Sequence, residues 1–319
     1  MPEGHTLHRL AAEYNEHFRG RVTESSSPQG RFTVEAAKID GRVMADADAY
    51  GKHLFLEFGE HTVHVHLGLA GKIAFTGGRL PEVVGAVRWR LTSTESDTEA
   101  ERENNQRARE VGSAEPDNNQ TAREVGSAEP DNNQKTREGG WTADLRGPAA
   151  CELVTPGEVD ALLARLGPDP LRADADPELA WQQVSRSRVP IAALLMDQRI
   201  AAGVGNIYRA ELLYRHRVDP MMPGRLMKHR EWQTMWEDLV GLMNIGVRTG
   251  RIDTVRPEHE PESMGREPRA DRHGGEVYVY RRAGQRCLVC GSMVRTLELA
   301  GRNLFWCPGC QRRTRRTAR

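Results

Sequence analysis

Cys287-Leu288-Val289-Cys290 is followed, after sixteen residues, by Cys307-Pro308-Gly309-Cys310. Two CxxC pairs at this separation offer four sulfurs to one tetrahedral ion, each pair on a tight knuckle, with zinc–sulfur distances of about 2.3 Å. Four thiolates close the coordination shell. The expected metal is therefore one structural zinc held by Cys287, Cys290, Cys307 and Cys310. The alternative is two disulfides, which would suit a secreted chain. The chain starts polar and lacks an apolar h-region, so no secretory leader and a cytoplasmic location are expected, where disulfides are disfavoured. The fifth thiol, Cys151, stands alone and reads as a small buried residue.

The charge around this module is uneven. Lys+Arg and Asp+Glu both total 45, and the formal net charge is zero. Residues 281–319 nevertheless hold ten Arg against the single acid Glu298, a net +9, whereas residues 91–140 hold twelve acids and six bases, a net −6. A basic module with an acidic stretch elsewhere suggests a local phosphate-binding face. Residues 312–319 read as a basic tail. No apolar run reaches the roughly 18 residues of a membrane span, so no membrane partner is expected.

At the other end stands Met1-Pro2-Glu3-Gly4. With Met1 removed, Pro2 becomes a secondary amine at the chain start with the Glu3 carboxylate beside it. An amine attacks carbon only when neutral. An α-amine titrates at about 7.7–8.0 against about 10.4 for lysine, so it needs less tuning for covalent catalysis. Pro at position 2 is incidental in most chains, and this reading depends on the other motifs.

The 319 residues leave room for two domains. Residues 5–18 place Leu7, Leu10, Ala11, Tyr14 and Phe18 on one helical stripe. Residues 53–58, 62–67, 87–91 and 141–146 are short and rich in β-formers, which predicts a mostly β domain over 1–150. Within it, NNQxAREVGSAEPD occurs at 104–117 and 118–131, with a partial copy at 132–138. This segment is polar and lacks a periodic apolar face, so about 93–140 reads as a flexible insertion between two strands. A second domain is expected over 151–255, and from 155 the pattern is helical. Thr155-Pro156-Gly157-Glu158 is a capping box with Pro at the first helical position, Asp176-Pro177 starts another helix, and 190–199 and 206–216 read as a helix pair. A longer helix carries Trp232, Met235, Trp236, Leu239 and Met243, while 255–275 reads as loose.

Three positions have chemistry of their own. Gly203-Val204-Gly205-Asn206-Ile207-Tyr208-Arg209 lies between two helices, where glycines permit close approach and a helix N-terminus offers free N–H donors to an anion. Asn206 either caps that helix or donates its amide to a phosphate. Lys52 opens a strand in Gly51-Lys52-His53, where a solvated lysine is the plainer reading. Arg302 lies five residues before Cys307, at the tip of an expected zinc hairpin, and is either a phosphate contact or a surface arginine.

Taken together, these segments resemble the formamidopyrimidine-DNA glycosylase and endonuclease VIII family of bifunctional DNA repair enzymes. The match runs through Pro2-Glu3-Gly4, Gly51-Lys52-His53, His66-Leu67-Gly68-Leu69-Ala70-Gly71, Asp197-Gln198, Gly203-Val204-Gly205-Asn206 and the four-cysteine finger with Arg302. It spans nearly the whole chain apart from the insertion, and looks closest to an actinobacterial endonuclease VIII subgroup. The resemblance implies an α+β fold. A β-sandwich domain with an N-terminal helix would occupy 1–150, a helix–two-turn–helix domain 151–255 and a zinc-finger β-hairpin 276–311. It implies that Pro2 attacks the sugar C1′ and forms a Schiff base, and that Glu3 acts as acid and base. Lys52, Asn206 and Arg302 would grip phosphates, and Arg302 would assist the last elimination. Leu69 and Arg146 would fill the hole left by an extruded nucleotide. The implied partner is damaged DNA, bound by a monomer, with oxidised pyrimidines as the main lesions. Oxidised purines, or DNA binding without catalysis, are the alternatives. The chain departs from the purine-type pattern at Asp144-Leu145-Arg146-Gly147-Pro148, which lacks the second Arg and the Phe, and carries Thr6 and Ala70 where other members have an acid and a larger side chain.

Overall fold

The computed structural model describes residues 2–93, 140–271 and 275–313. The expected insertion, apart from its two ends, and the basic tail from residue 314 lie outside the described residues.

The first half follows the expected pattern. Helix α1 (Gly4–Phe18) buries Leu7, Leu10, Ala11, Tyr14 and Phe18, the predicted stripe. The strands are β1 (Thr23–Ser26), β2 (Asp46–Tyr50), β3 (His53–Phe58), β4 (His61–His66), β5 (Lys72–Gly77), β6 (Val87–Ser93), β7 (Trp141–Arg146) and β8 (Ala150–Val154), with helix α2 (Thr33–Ile39) between the first two. They form two antiparallel four-stranded sheets, ordered β1-β6-β7-β5 and β2-β3-β4-β8. Period-two alternation explains which face is buried: Leu54, Leu56 and Phe58 of β3 lie in one core with Val63 and Val65 of β4. Trp89, Leu91, Ala143 and Leu145 of the other sheet join the same core. Strands β6 and β7 pair as Thr92↔Thr142, so the insertion leaves and re-enters the fold at neighbouring strand ends.

The second half is helical and has its own core. Helix α3 (Pro156–Leu163) starts at the predicted capping box, with Thr155 Oγ1 accepting from Glu158 N and Thr155 N donating to Glu158 Oε2. Helix α4 (Pro177–Val184) is capped by the Asp176 carboxylate. Next come α5 (Ile191–Leu194), α6 (Asn206–Arg215) and α7 (His229–Thr249), then the single turn α8 (Pro261–Met264). The helix expected over 190–199 is only the one turn of α5. Side chains after it compete for the backbone: Asp197 accepts from Arg199 N, and Gln198 bonds Val204 O and Gly203 N. Residues 255–271 are more ordered than expected, since they contain a 3₁₀ turn and α8.

The finger is the hairpin β9 (Arg295–Leu299) and β10 (Arg302–Trp306). Its two-residue turn, Ala300-Gly301, has φ of 52° and 69°. Positive φ at both central residues matches the twist of the flanking strands, and the turn sets Arg302 directly after the tip. The finger is not a free-standing unit: Cys287, Cys307, Leu304 and Phe305 lie in one core with Tyr214 and Trp236 of the helices. No helix among the described residues is long and apolar enough to cross a membrane.

Candidate active site

The two halves meet at Glu3. Its side chain is fully buried, and its carboxylate accepts from Gly205 N at 2.9 Å, Ile207 N at 2.8 Å and Tyr208 N at 3.4 Å. These are among the free N–H groups that open α6. The helix has no side-chain cap of its own, so a carboxylate some two hundred positions away caps it. Asn206 therefore does not cap α6, contrary to one of its two readings. Close approach of backbones makes this seam possible. Gly4 N donates to Gly203 O at 2.8 Å. A Cβ on Gly4 would lie 2.8 Å from Gly203 Cα, and one on Gly51 would lie 3.1 Å from Gly203 N. Gly51 and Gly203 also have φ of +58° and +87°, which only glycine adopts without strain.

Lys52 is partly buried and donates from Nζ to Val204 O at 2.7 Å. Burial pushes the Lys52 ammonium below its ordinary range, while the Glu3 charge pulls it back up. Burial likewise raises the Glu3 carboxyl, and Lys52 and the three N–H donors oppose the rise. Burial thus disfavours the charged form of both groups, while each charge steadies the other.

Pro2 lines a cleft of about 940 Å³ whose walls include His5, Leu67, Leu69, Lys72 and Ile207. Leu69 is 61% exposed and also lines a second cleft of about 440 Å³, with Asn206, Tyr280, Arg302 and Asn303. Leu69 thus joins the two clefts, with the proposed nucleophile on one side and the proposed phosphate grips on the other. Asn206 is 6% exposed; Nδ2 donates to Asn303 O at 3.0 Å, and Oδ1 accepts from Arg209 Nη2. Arg302 is exposed beside it. Arg146 is held back: Nη2 donates to Asp144 Oδ2 at 2.9 Å and Nε to Val84 O at 3.1 Å. Asp144 also takes a bidentate pair from buried Arg90.

Two groups at the site escaped the sequence reading. Arg209 is fully buried next to Asn206, donates to Asn303 O, and is lowered to about 10 by burial. Asp169, also fully buried, accepts from Gly51 N at 2.7 Å and meets His8 Nε2 at 2.7 Å. Arg209 lies in the same segment as Asn206, three residues after it, but was assigned no role there, and Asp169 works through contacts with distant segments.

The four finger sulfurs lie within 4.8 Å of one another. Cys307 Sγ accepts from Cys310 N at 3.5 Å, as the knuckle of a CxxC pair requires. All-sulfur donors on two knuckles fit one tetrahedral zinc.

Three family models match in order along the chain: the formamidopyrimidine-DNA glycosylase N-terminal domain over residues 1–111, its H2TH domain over 166–257, and the zinc finger found in FPG and IleRS over 284–313. Endonuclease 8 1 of Mycobacterium tuberculosis (strain ATCC 25618 / H37Rv) is 46% identical over 319 residues, covering 98% of this chain and 100% of that protein. The formamidopyrimidine-DNA glycosylase of Prochlorococcus marinus (strain MIT 9313) is 33% identical over 150 residues, 47% of this chain and 50% of its own length. Among solved structures, the Lactococcus lactis Fpg in complex with abasic-site DNA superposes with a TM-score of 0.66 at 18% identity, over 98% of this chain and 100% of that one, which shows a common fold. With its sandwich, helix-capping carboxylate and four-cysteine finger, the chain belongs to the formamidopyrimidine-DNA glycosylase and endonuclease 8 family of base-excision DNA glycosylases.

Proposed function

We propose that this protein removes oxidised pyrimidines from DNA and then cleaves the strand, with Pro2 as nucleophile. The observation that carries this reading is the cleft lined by Pro2, whose sequence neighbour Glu3 is a buried carboxylate pinned to the N-terminus of α6 with Lys52 beside it. Likeness to endonuclease 8 1 supports it.

The free amine of Pro2 attacks C1′ of the damaged nucleotide, and the base leaves with a proton. The sugar ring opens as the iminium forms, and Glu3, raised by burial, gives a proton to the ring oxygen. The iminium acidifies the C2′ proton. Its removal expels the 3′ phosphate, and a second elimination expels the 5′ phosphate. Lys52 serves in proton transfer next to Glu3. Asn206 and Arg302 hold flanking phosphates, and Arg302 steadies the departing one. Leu69 fills the space left by the flipped nucleotide, and Arg146 joins it once released from Asp144 and Val84, offsetting lost stacking. The working unit is a monomer, with the domains and finger as divided above.

Borohydride reduction during turnover tests the mechanism. It is expected to cross-link the zinc-loaded protein to thymine-glycol DNA through Pro2, and Pro2→Gly is expected to lose both cross-linking and cleavage. Wild-type levels of both in Pro2→Gly refute the mechanism. Competition between thymine-glycol and 8-oxoguanine duplexes separates the pyrimidine reading from the purine one.

A further inference from the structure

Helix α6 touches the finger along its whole length. At its start Asn206 donates to Asn303 O. Midway, the buried Glu211 carboxylate accepts from Tyr278 N, Val279 N and Tyr280 N at 2.7 to 2.9 Å, just ahead of the first knuckle. Near its end Tyr214, 4% exposed, stacks on Tyr278 with ring centroids 4.5 Å apart. The Tyr214 hydroxyl lies 3.1 Å from Cys287 Sγ and 3.8 Å from Cys310 Sγ.

A zinc-bound cysteine is a thiolate and has no proton to give. In the loaded finger the phenol is therefore the donor and the sulfur the acceptor. We propose that Tyr214 is a positioning residue of the zinc centre, its O–H donating to the Cys287 thiolate so that α6 holds the metal as well as the hairpin. The bond withdraws charge from the sulfur and offsets the cost of an anion in a buried setting. It also fixes where that ligand sits relative to the helix that carries Asn206. The proposal concerns the finger alone and does not depend on which lesion is excised.

Tyr214→Phe removes one oxygen and keeps the ring stacked, so it isolates the hydrogen bond. Partners of metal ligands are worth roughly 10–100-fold in metal affinity. The zinc-loaded full-length variant is therefore expected to surrender its metal to a chromogenic chelator about tenfold faster than the wild type. In the cobalt-substituted proteins, the sulfur-to-cobalt charge-transfer band is expected at lower energy in the variant, because an unbonded thiolate is the stronger electron donor. Tyr14→Phe, in the other core and with a hydroxyl that has no partner among the described residues, is the control and is expected to change neither measurement. A wild-type release rate with an unmoved band overturns the proposal. Faster release with an unmoved band reports loosened packing instead of a lost hydrogen bond, and overturns it as well.

Discussion

Gly205→Ala is expected to disable the site without replacing any side chain that reacts. Gly205 has φ −125° and ψ −160°, an extended conformation open to any residue, so backbone strain plays no part. What matters is the space: a Cβ there would lie 2.4 Å from Glu3 Cδ and 2.6 Å from Oε1. The end of a side chain can usually swing away from a methyl cheaply. Here the swing breaks the bonds from Gly205 N and Ile207 N, at 2.9 and 2.8 Å, inside a fully buried space. Hydrogen bonds to charged groups contribute about 1.5–3 kcal/mol each, so the expected loss of stability is about 3–6 kcal/mol. With the carboxyl displaced, the acid–base assistance proposed for Glu3 goes too, typically a factor of about 10²–10⁴. Urea unfolding of the zinc-loaded protein, followed by tryptophan fluorescence, reads the first effect, and single-turnover borohydride trapping reads the second. Gly157→Ala, where a Cβ meets nothing within 4 Å, is the control and is expected to be neutral or slightly stabilising. A Gly205→Ala protein within about 1 kcal/mol of wild type and equally quick to trap would refute the reasoning.

Further expectations follow from other parts of the molecule. Burial holds His5 near 4 instead of its ordinary 6.5, so between these values the unfolded chain binds more protons than the folded one. Acidification across that window is expected to cost about 3 kcal/mol of stability; His5→Gln should flatten this slope, and an unchanged slope would refute the assignment. Asp144→Ala strands the buried Arg90 guanidinium and is expected to destabilise by about 3–5 kcal/mol in urea unfolding. Replacing 95–138 by a short turn joins strand ends already paired at Thr92↔Thr142 and should leave cleavage nearly unchanged; a large loss would assign the segment a part in DNA binding. Stripping zinc with a chelator is expected to abolish DNA binding in a mobility-shift assay and to lower the melting temperature, because Cys287 and Cys307 belong to the helical core.

Local chemistry was what the sequence displayed best. The apolar stripe of α1, the Thr155 capping box and the CxxC pairs each announce themselves within a few residues, and each appears where expected. The helix over 190–199 misled because its apolar spacing is sound, yet Asp197 and Gln198 spend their side chains on the backbone and end it after one turn. Asn206 shows the other limit. Its position at a helix start suggested a cap, but the cap arrives from Glu3, and a contact spanning some two hundred positions leaves no local pattern. Asp169 was missed for the same reason, and so was the reach of Arg209 to Asn303, although Arg209 lies only three residues after Asn206. Nothing local in the sequence announced that the Arg146 side chain is tethered to Asp144 and Val84.

The Glu3 bonds to the start of α6 carry a consequence for anyone dissecting the protein. On the proposed mechanism neither half alone possesses a finished centre, since the amino-terminal fragment would keep the carboxylate without the amides that orient it, and the other fragment the reverse. Separately produced fragments should be inert, and any recovery on mixing would measure how well they dock. The seam thus turns catalytic competence into a gauge of domain complementation.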